Sequence, residues 1–138
     1  MDTTATDVTL VRNAIHNPAD PRHFMRVVPC EKLVVATLNG RELARSTRAT
    51  LVKEVGYDIY DPVIYFPRED VDMASLRQGT RSTHCPLKGD TAYFDAIIDG
   101  TTTAQVGWSY VAVIEQAAAL RDLIAFDRRL VDVSTADA

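Results

Sequence analysis

Cysteine is scarce in this chain: Cys30 and Cys85 are the only two in 138 residues. Two widely separated thiols build neither a disulfide framework nor a paired-cysteine zinc site, and a reducing compartment suits them best. The three histidines show no ligand spacing to one another, so no metal and no cofactor are expected. Long apolar runs are missing as well. Nothing approaches the ~20 residues of a membrane span, and the opening MDTTATDVTLVRNAI carries acids and no signal-peptide core. A soluble, cytoplasmic protein without a membrane partner is the expectation. There is no basic excess, since fifteen Lys and Arg face nineteen Asp and Glu for a formal charge of −4. That balance argues against nucleic acid as a partner. The lack of a GxxxxGK[ST] element excludes nucleotide binding through a phosphate loop.

What is present is an ordinary globular composition, 46% apolar and 25% charged, on a chain long enough for one core. Residues 1–23 read as an N-terminal arm, because HNPADPR (His16 to Arg22) holds two prolines and no period. Residues 24–138 read as a single β-rich domain. KLVVATL, Asn39-Gly40 and RELARST predict a hairpin closed by a type I′ turn. ATLVKEV (Ala49 to Val55) and PVIYFP (Pro62 to Pro67) predict two more strands, the second stopped by Pro67. One helical turn is expected in VDMASLRQG (Val71 to Gly79). TAYFDAII and TTTAQVGWSY flank Asp99-Gly100, a second hairpin signal. Val113, Ala117, Leu120 and Ile124 recur at helical spacing and predict one short C-terminal helix. LIAFDRRLVDV then suggests a closing strand ahead of the polar STADA end. The fold class is therefore mainly β, a compact domain of two small antiparallel sheets with one helix.

Chemistry concentrates in three stretches: THCPLKGDTAYF (Thr83 to Phe94), VIYFPRED (Val63 to Asp70) and GWSY (Gly107 to Tyr110). His84 and Cys85 are adjacent, yet successive strand side chains face opposite ways, so His84 is badly placed to deprotonate Cys85. A reactive thiolate would need another cation, such as Lys88; otherwise Cys85 is a small buried hydrophobe. His84 alone suits a general base, a phosphate donor or a structural hydrogen bond. Lys88-Gly89-Asp90 sits on a turn whose amides and ammonium can face an anion. Asp70-Val71-Asp72 can hold a divalent ion on an extended segment, or Asp70 can cap a helical turn. Tyr65 and Phe66, like Tyr93 and Phe94, must face opposite ways on regular strands, leaving about half of these rings for a groove with Trp108 and Tyr110.

The segments RATLVKEVGY, VIYFPREDVDM, STHCPLKGDTAYF, GWSY and AAALRDLIAFDRRLVDV, in this order, resemble the bacterial domain-of-unknown-function family 427 (DUF427) from about Arg26 to Val133. The resemblance implies a compact β-tent-like fold, similar to methionine sulfoxide reductase B and the ligand-binding domain of cereblon. It does not imply their zinc, because the paired CxxC ligands of many β-tent proteins are missing. The label nucleotidyltransferase-like, sometimes attached to the family, gains little here, as no Gly-Ser turn precedes Asp70. Carried over are Arg48, Tyr65, Pro67, Asp70, His84, Cys85, Pro86, Lys88, Gly89, Tyr93, Trp108 and Tyr110. Leu87 stands where a tyrosine is often seen, and Val111 onward lacks a proline common after the Trp-x-Tyr element.

The combined expectation is a cleft for a small, anionic or nucleotide-like ligand. Arg48 and Lys88 would neutralise charge, Tyr65, Tyr93, Trp108 and Tyr110 would supply stacking surface, and His84 or Asp70 would titrate if chemistry occurs. Whether the protein is an enzyme stays open. The alternatives are a non-catalytic interaction module, including one that pairs with a second copy as a homo-oligomer, and thiol chemistry at Cys85.

Overall fold

The computed structural model describes residues 11–138, which form twelve strands in three antiparallel sheets. Strands β1 (Ile15–Asn17), β2 (Asp20–Pro29), β5 (Thr50–Val55) and β6 (Val63–Tyr65) make the first sheet in that order. The second runs β11 (Ile124–Phe126), β10 (Thr101–Val113), β9 (Gly89–Ile98) and β7 (Leu76–Gln78), with β8 (His84–Cys85) also paired to β9. The third runs β12 (Asp132–Ala136), β3 (Leu33–Leu38) and β4 (Arg41–Ser46). No helix among the described residues is long and apolar enough to cross a membrane.

Both hairpins form where turn chemistry demands them. Asn39 and Gly40 lie at φ 50° and 77°, Asp99 and Gly100 at 49° and 79°. Two successive left-handed residues define the type I′ turn, whose twist matches that of its strands. Alternation then sorts the side chains. Val34, Ala36 and Leu38 are buried on β3, and Ala92, Phe94, Ala96 and Ile98 on β9. These residues join Phe66, Val106, Ile124 and Phe126 in one core. Phe66 also exchanges backbone hydrogen bonds with Ile124, at 2.7 and 2.9 Å, which ties the first sheet to the second. A second, smaller cluster holds Met25, Val52, Tyr65, Leu87, Tyr110 and Leu120.

The architecture differs from the sequence reading in four places. There are three sheets and not two, because β12 and β4 flank β3 as a separate three-stranded sheet. The C-terminal helix is a 3-10 segment, Glu115–Leu120, broken at Ala117 (φ −103°, ψ 18°). Ala117, Leu120 and Ile124 are buried as their spacing requires, but Ile124 must return to lie opposite Ser109. A continuous helix from Val113 would carry the chain ~18 Å away, so a short turn and a left-handed Asp122 (φ 62°) reverse it instead. Leu76–Gln78 is a strand on β9, and the helical turn expected there shrinks to Met73–Ser75. The closing strand β12 runs on through the polar end to Ala136 along β3.

Residues 1–10, the start of the expected arm, lie outside the described residues. Residues 15–23 are ordered as the outer hairpin of the first sheet, with Ile15 opposite Met25 and His16 opposite Phe24. Pro18 sits in the connecting turn and Pro21 near the start of β2, where β2 needs no donor from it.

Candidate functional site

The THCPLKGD stretch folds as a tight turn between β8 and β9. The Lys88 amide donates to the Cys85 carbonyl at 3.1 Å, and Leu87, completely buried, anchors the turn. Gly89 adopts φ +131°, and a Cβ there would lie 2.1 Å from the Ala112 carbonyl oxygen. Only glycine permits this approach. Ile114 donates to the Lys88 carbonyl at 2.9 Å. Backbone on both sides of Lys88 is thus fixed, and its side chain enters the protein, 5% exposed.

Lys88 meets a cavity of about 1400 Å³. Tyr65 of β6, Cys85 of β8, Tyr93 of β9 and Trp108 and Tyr110 of β10 line it. The three stretches singled out by sequence therefore converge. Trp108 pairs with Tyr93 across the strands, and its indole N–H donates to the Tyr65 hydroxyl at 3.4 Å. Tyr65 meets Trp108 edge to face, ring centroids 6.5 Å apart, a favoured aromatic geometry.

Three expected site residues are not among those lining this cavity. Arg48 pairs instead with Glu69 at 3.2 Å and Asp70 at 3.4 Å, beside a separate, shallower recess. Asp70 accepts a 2.6 Å hydrogen bond from Ser46, tying β4 to the Arg68–Asp70 turn. Pro67 holds the N-cap position of that turn and Asp72 that of the following Met73–Ser75 turn, so Asp70 caps neither. Asp72 points its carboxylate to Ser75 and Arg41 and not toward a common ion with Asp70. Among the described residues, no three His, Cys, Asp or Glu side chains are grouped to hold a metal ion. His84 is exposed and pairs with Asp90 at 2.7 Å. Alternation explains the split between His84 and Cys85: one faces solvent, the other the cavity.

The missed residues are Asn17, His23, Glu54 and Arg81. Glu54 on β5 shares the inward face with Val52, and that alternation was a readable signal. Its carboxylate bonds the Lys88 ammonium through Oε1 and His23 Nε2 through Oε2, the latter at 2.7 Å. Asn17 completes the row. Its Oδ1 accepts from the Ala19 amide at 2.9 Å, which orients the amide so that Nδ2 faces His23 Nδ1 at 3.2 Å. An amide NH₂ can only donate, so Nδ1 accepts and the His23 proton sits on Nε2, donated to Glu54. Burial alone would raise the Glu54 pKa, but the hydrogen bond and charge of Lys88 and the hydrogen bond from His23 outweigh it and hold the carboxyl below its ordinary value. Burial chiefly pushes the phenols of Tyr65 and Tyr110 well above theirs, so both keep their protons.

The cationic lining is mostly paired. Arg22 meets Asp20, Arg129 meets Asp127, and Lys88 meets Glu54. Arg81 is different: among the described residues it has no carboxylate partner. Its guanidinium lies 4.5 Å from the centre of the Tyr93 ring and donates to Gln105 Oε1 at 2.6 Å. Gln105 occupies a bulge on β10 at φ 52°, held by its amide donating to Asp95 at 2.9 Å. Non-glycine residues rarely accept that conformation. Here it turns the Gln105 side chain to Arg81 at the cavity rim.

The family described as "Domain of unknown function (DUF427)" matches residues 26–137, most of the chain and nearly the whole site. His23, Asn17 and Arg22 fall just before the matched span. No curated protein matches the chain.

Proposed function

The chain belongs to the DUF427 family, and within it we propose that this protein binds a small planar ligand carrying an anionic group in the Lys88 cavity. The observation that carries this reading is Arg81. A guanidinium stacked on Tyr93, held by a strained Gln105 and left without a carboxylate among the described residues, offers its free N–H groups to an anion at the rim. Tyr93, Trp108 and Tyr60 supply ring surface beside it. Concave, aromatic-lined sites with few convergent polar groups are the usual form of small-molecule sites.

Trp108, the only tryptophan in the chain, is a built-in reporter. Titration with nicotinate, benzoate and uridine monophosphate should quench or shift its emission, with the neutral nicotinamide weaker than nicotinate. Arg81→Ala should erase the preference for the charged member of the pair. No spectral or thermal-shift response to any of these anions, with Arg81→Ala indistinguishable from the parent, would remove the reading.

A further inference from the structure

The floor of the cavity carries an excess of hydrogen-bond donors. Lys88, Tyr65 and Tyr110 are 5%, 2% and 9% exposed, and all three line the cavity. An ammonium has three N–H donors, yet Lys88 makes one side-chain hydrogen bond among the described residues, to Glu54. The Tyr65 hydroxyl accepts from Trp108 and, among the described residues, has no acceptor for its own proton. For the Tyr110 hydroxyl no protein partner is found among the described residues, and its ring lies 5.8 Å from Lys88 Nζ and 6.5 Å from Tyr65. Buried polar groups are nearly always satisfied. Three neighbouring donors with spare protons therefore call for an acceptor supplied from the cavity.

The charge balance selects the acceptor. The ammonium is already neutralised by Glu54, so a second carboxylate or phosphate placed here would sit against the Glu54 carboxylate. A neutral carbonyl oxygen, which accepts two hydrogen bonds and adds no charge, meets no such repulsion. Resting on the binding reading above, we infer that the ligand enters with a ring carbonyl toward Lys88, Tyr65 and Tyr110 and its anionic group outward toward Arg81. The ligand class is thus a planar lactam or related oxo-heterocycle with an anionic substituent, and Tyr65 and Tyr110 determine specificity through their hydroxyls.

Two probes test this, nicotinate and the lactam form of hydroxynicotinate with its carbonyl para to the carboxylate, each titrated into the parent and the double variant Tyr65→Phe/Tyr110→Phe, with melting temperatures recorded alongside. The lactam should bind the parent about tenfold more tightly than nicotinate, the worth of roughly one to two net hydrogen bonds. The double variant, which keeps both rings, should lose most of the lactam preference, read as the ratio of the two dissociation constants. Single Tyr→Phe variants, each still folded, should lose part of it if the double variant proves unstable. Equal binding of the two probes to the parent would overturn the carbonyl assignment alone. A preference that survives removal of both hydroxyls would overturn it equally. Binding of neither probe would remove the underlying ligand reading as well.

Discussion

Lys88, on the turn before β9, donates its ammonium to Glu54 on β5 and so joins the first sheet to the second beneath the cavity. Lys88 is almost sealed and the Glu54 side chain 17% exposed. Removing the carboxylate alone strands a buried positive charge. Glu54→Leu should therefore destabilise by about 3 kcal/mol. Adding Lys88→Met should recover part of that loss, as an apolar pair replaces an ionic one, and urea unfolding of the two variants checks the order.

The same pair gives a pH dependence of definite sign. The Glu54 pKa lies below its ordinary 4.5 in the folded protein. Its contribution is complete above the unfolded value and is lost as pH falls from there through the folded value, since the unfolded chain takes up the proton first. The stability gap between the parent and Glu54→Gln should narrow only below about pH 4.5. A gap that closes on raising the pH would contradict the ion pair.

Two glycines of similar backbone sign should respond very differently. Gly40 has open space around a notional Cβ, whereas one at Gly89 would meet the Ala112 carbonyl oxygen. Gly40→Ala should cost about 1–2 kcal/mol, from left-handed strain only. Gly89→Ala should exceed ~4 kcal/mol or prevent folding, because backbone on β10 must move. Chemical denaturation separates the two.

Much of this was legible in the chain. The two Asx-Gly turns and the strand before Pro67 follow from local rules that tertiary packing does not oppose, whereas the meeting of Tyr65 with Tyr93 and Trp108 depends on how two different sheets pack. Their exact partners were not. Counting from the Asp99-Gly100 turn places Trp108 opposite Thr91, and the bulge at Gln105 moves it opposite Tyr93. Nothing in Thr-Ala-Gln-Val advertises a left-handed residue, because Asp95, ten residues earlier, is what holds it. His23 was hidden for a similar reason: its neighbours look like a proline-broken arm until pairing with β5 is known. Arg48, Asp70 and His84 carried chemistry by residue type, but their partners turned out to be one another or local carboxylates.

That separation has a functional consequence. His84→Ala and Arg48→Ala should leave binding of planar anions within about twofold of the parent, as expected for surface changes outside a site. Arg81→Ala should weaken it at least tenfold, the loss of a charge-assisted hydrogen bond. Calorimetric titration of nicotinate into the three variants makes the comparison.

Cys85 lines the cavity, while Cys30 lines the separate recess near Arg48. Iodoacetamide should modify Cys85 more slowly once nicotinate is present at saturation, with Cys30 unaffected as the internal standard. Mass spectrometry after tryptic digestion resolves the two sites.

The most direct measurement is a titration of the isotope-labelled protein with nicotinate, following the indole N–H resonance of Trp108 beside the side-chain resonances of Arg48 and Arg81. Saturable shifts at Trp108 and Arg81, with Arg48 still, are the expected result. Shifts confined to Arg48 and its recess, or none at either place, would contradict the cavity as the binding site.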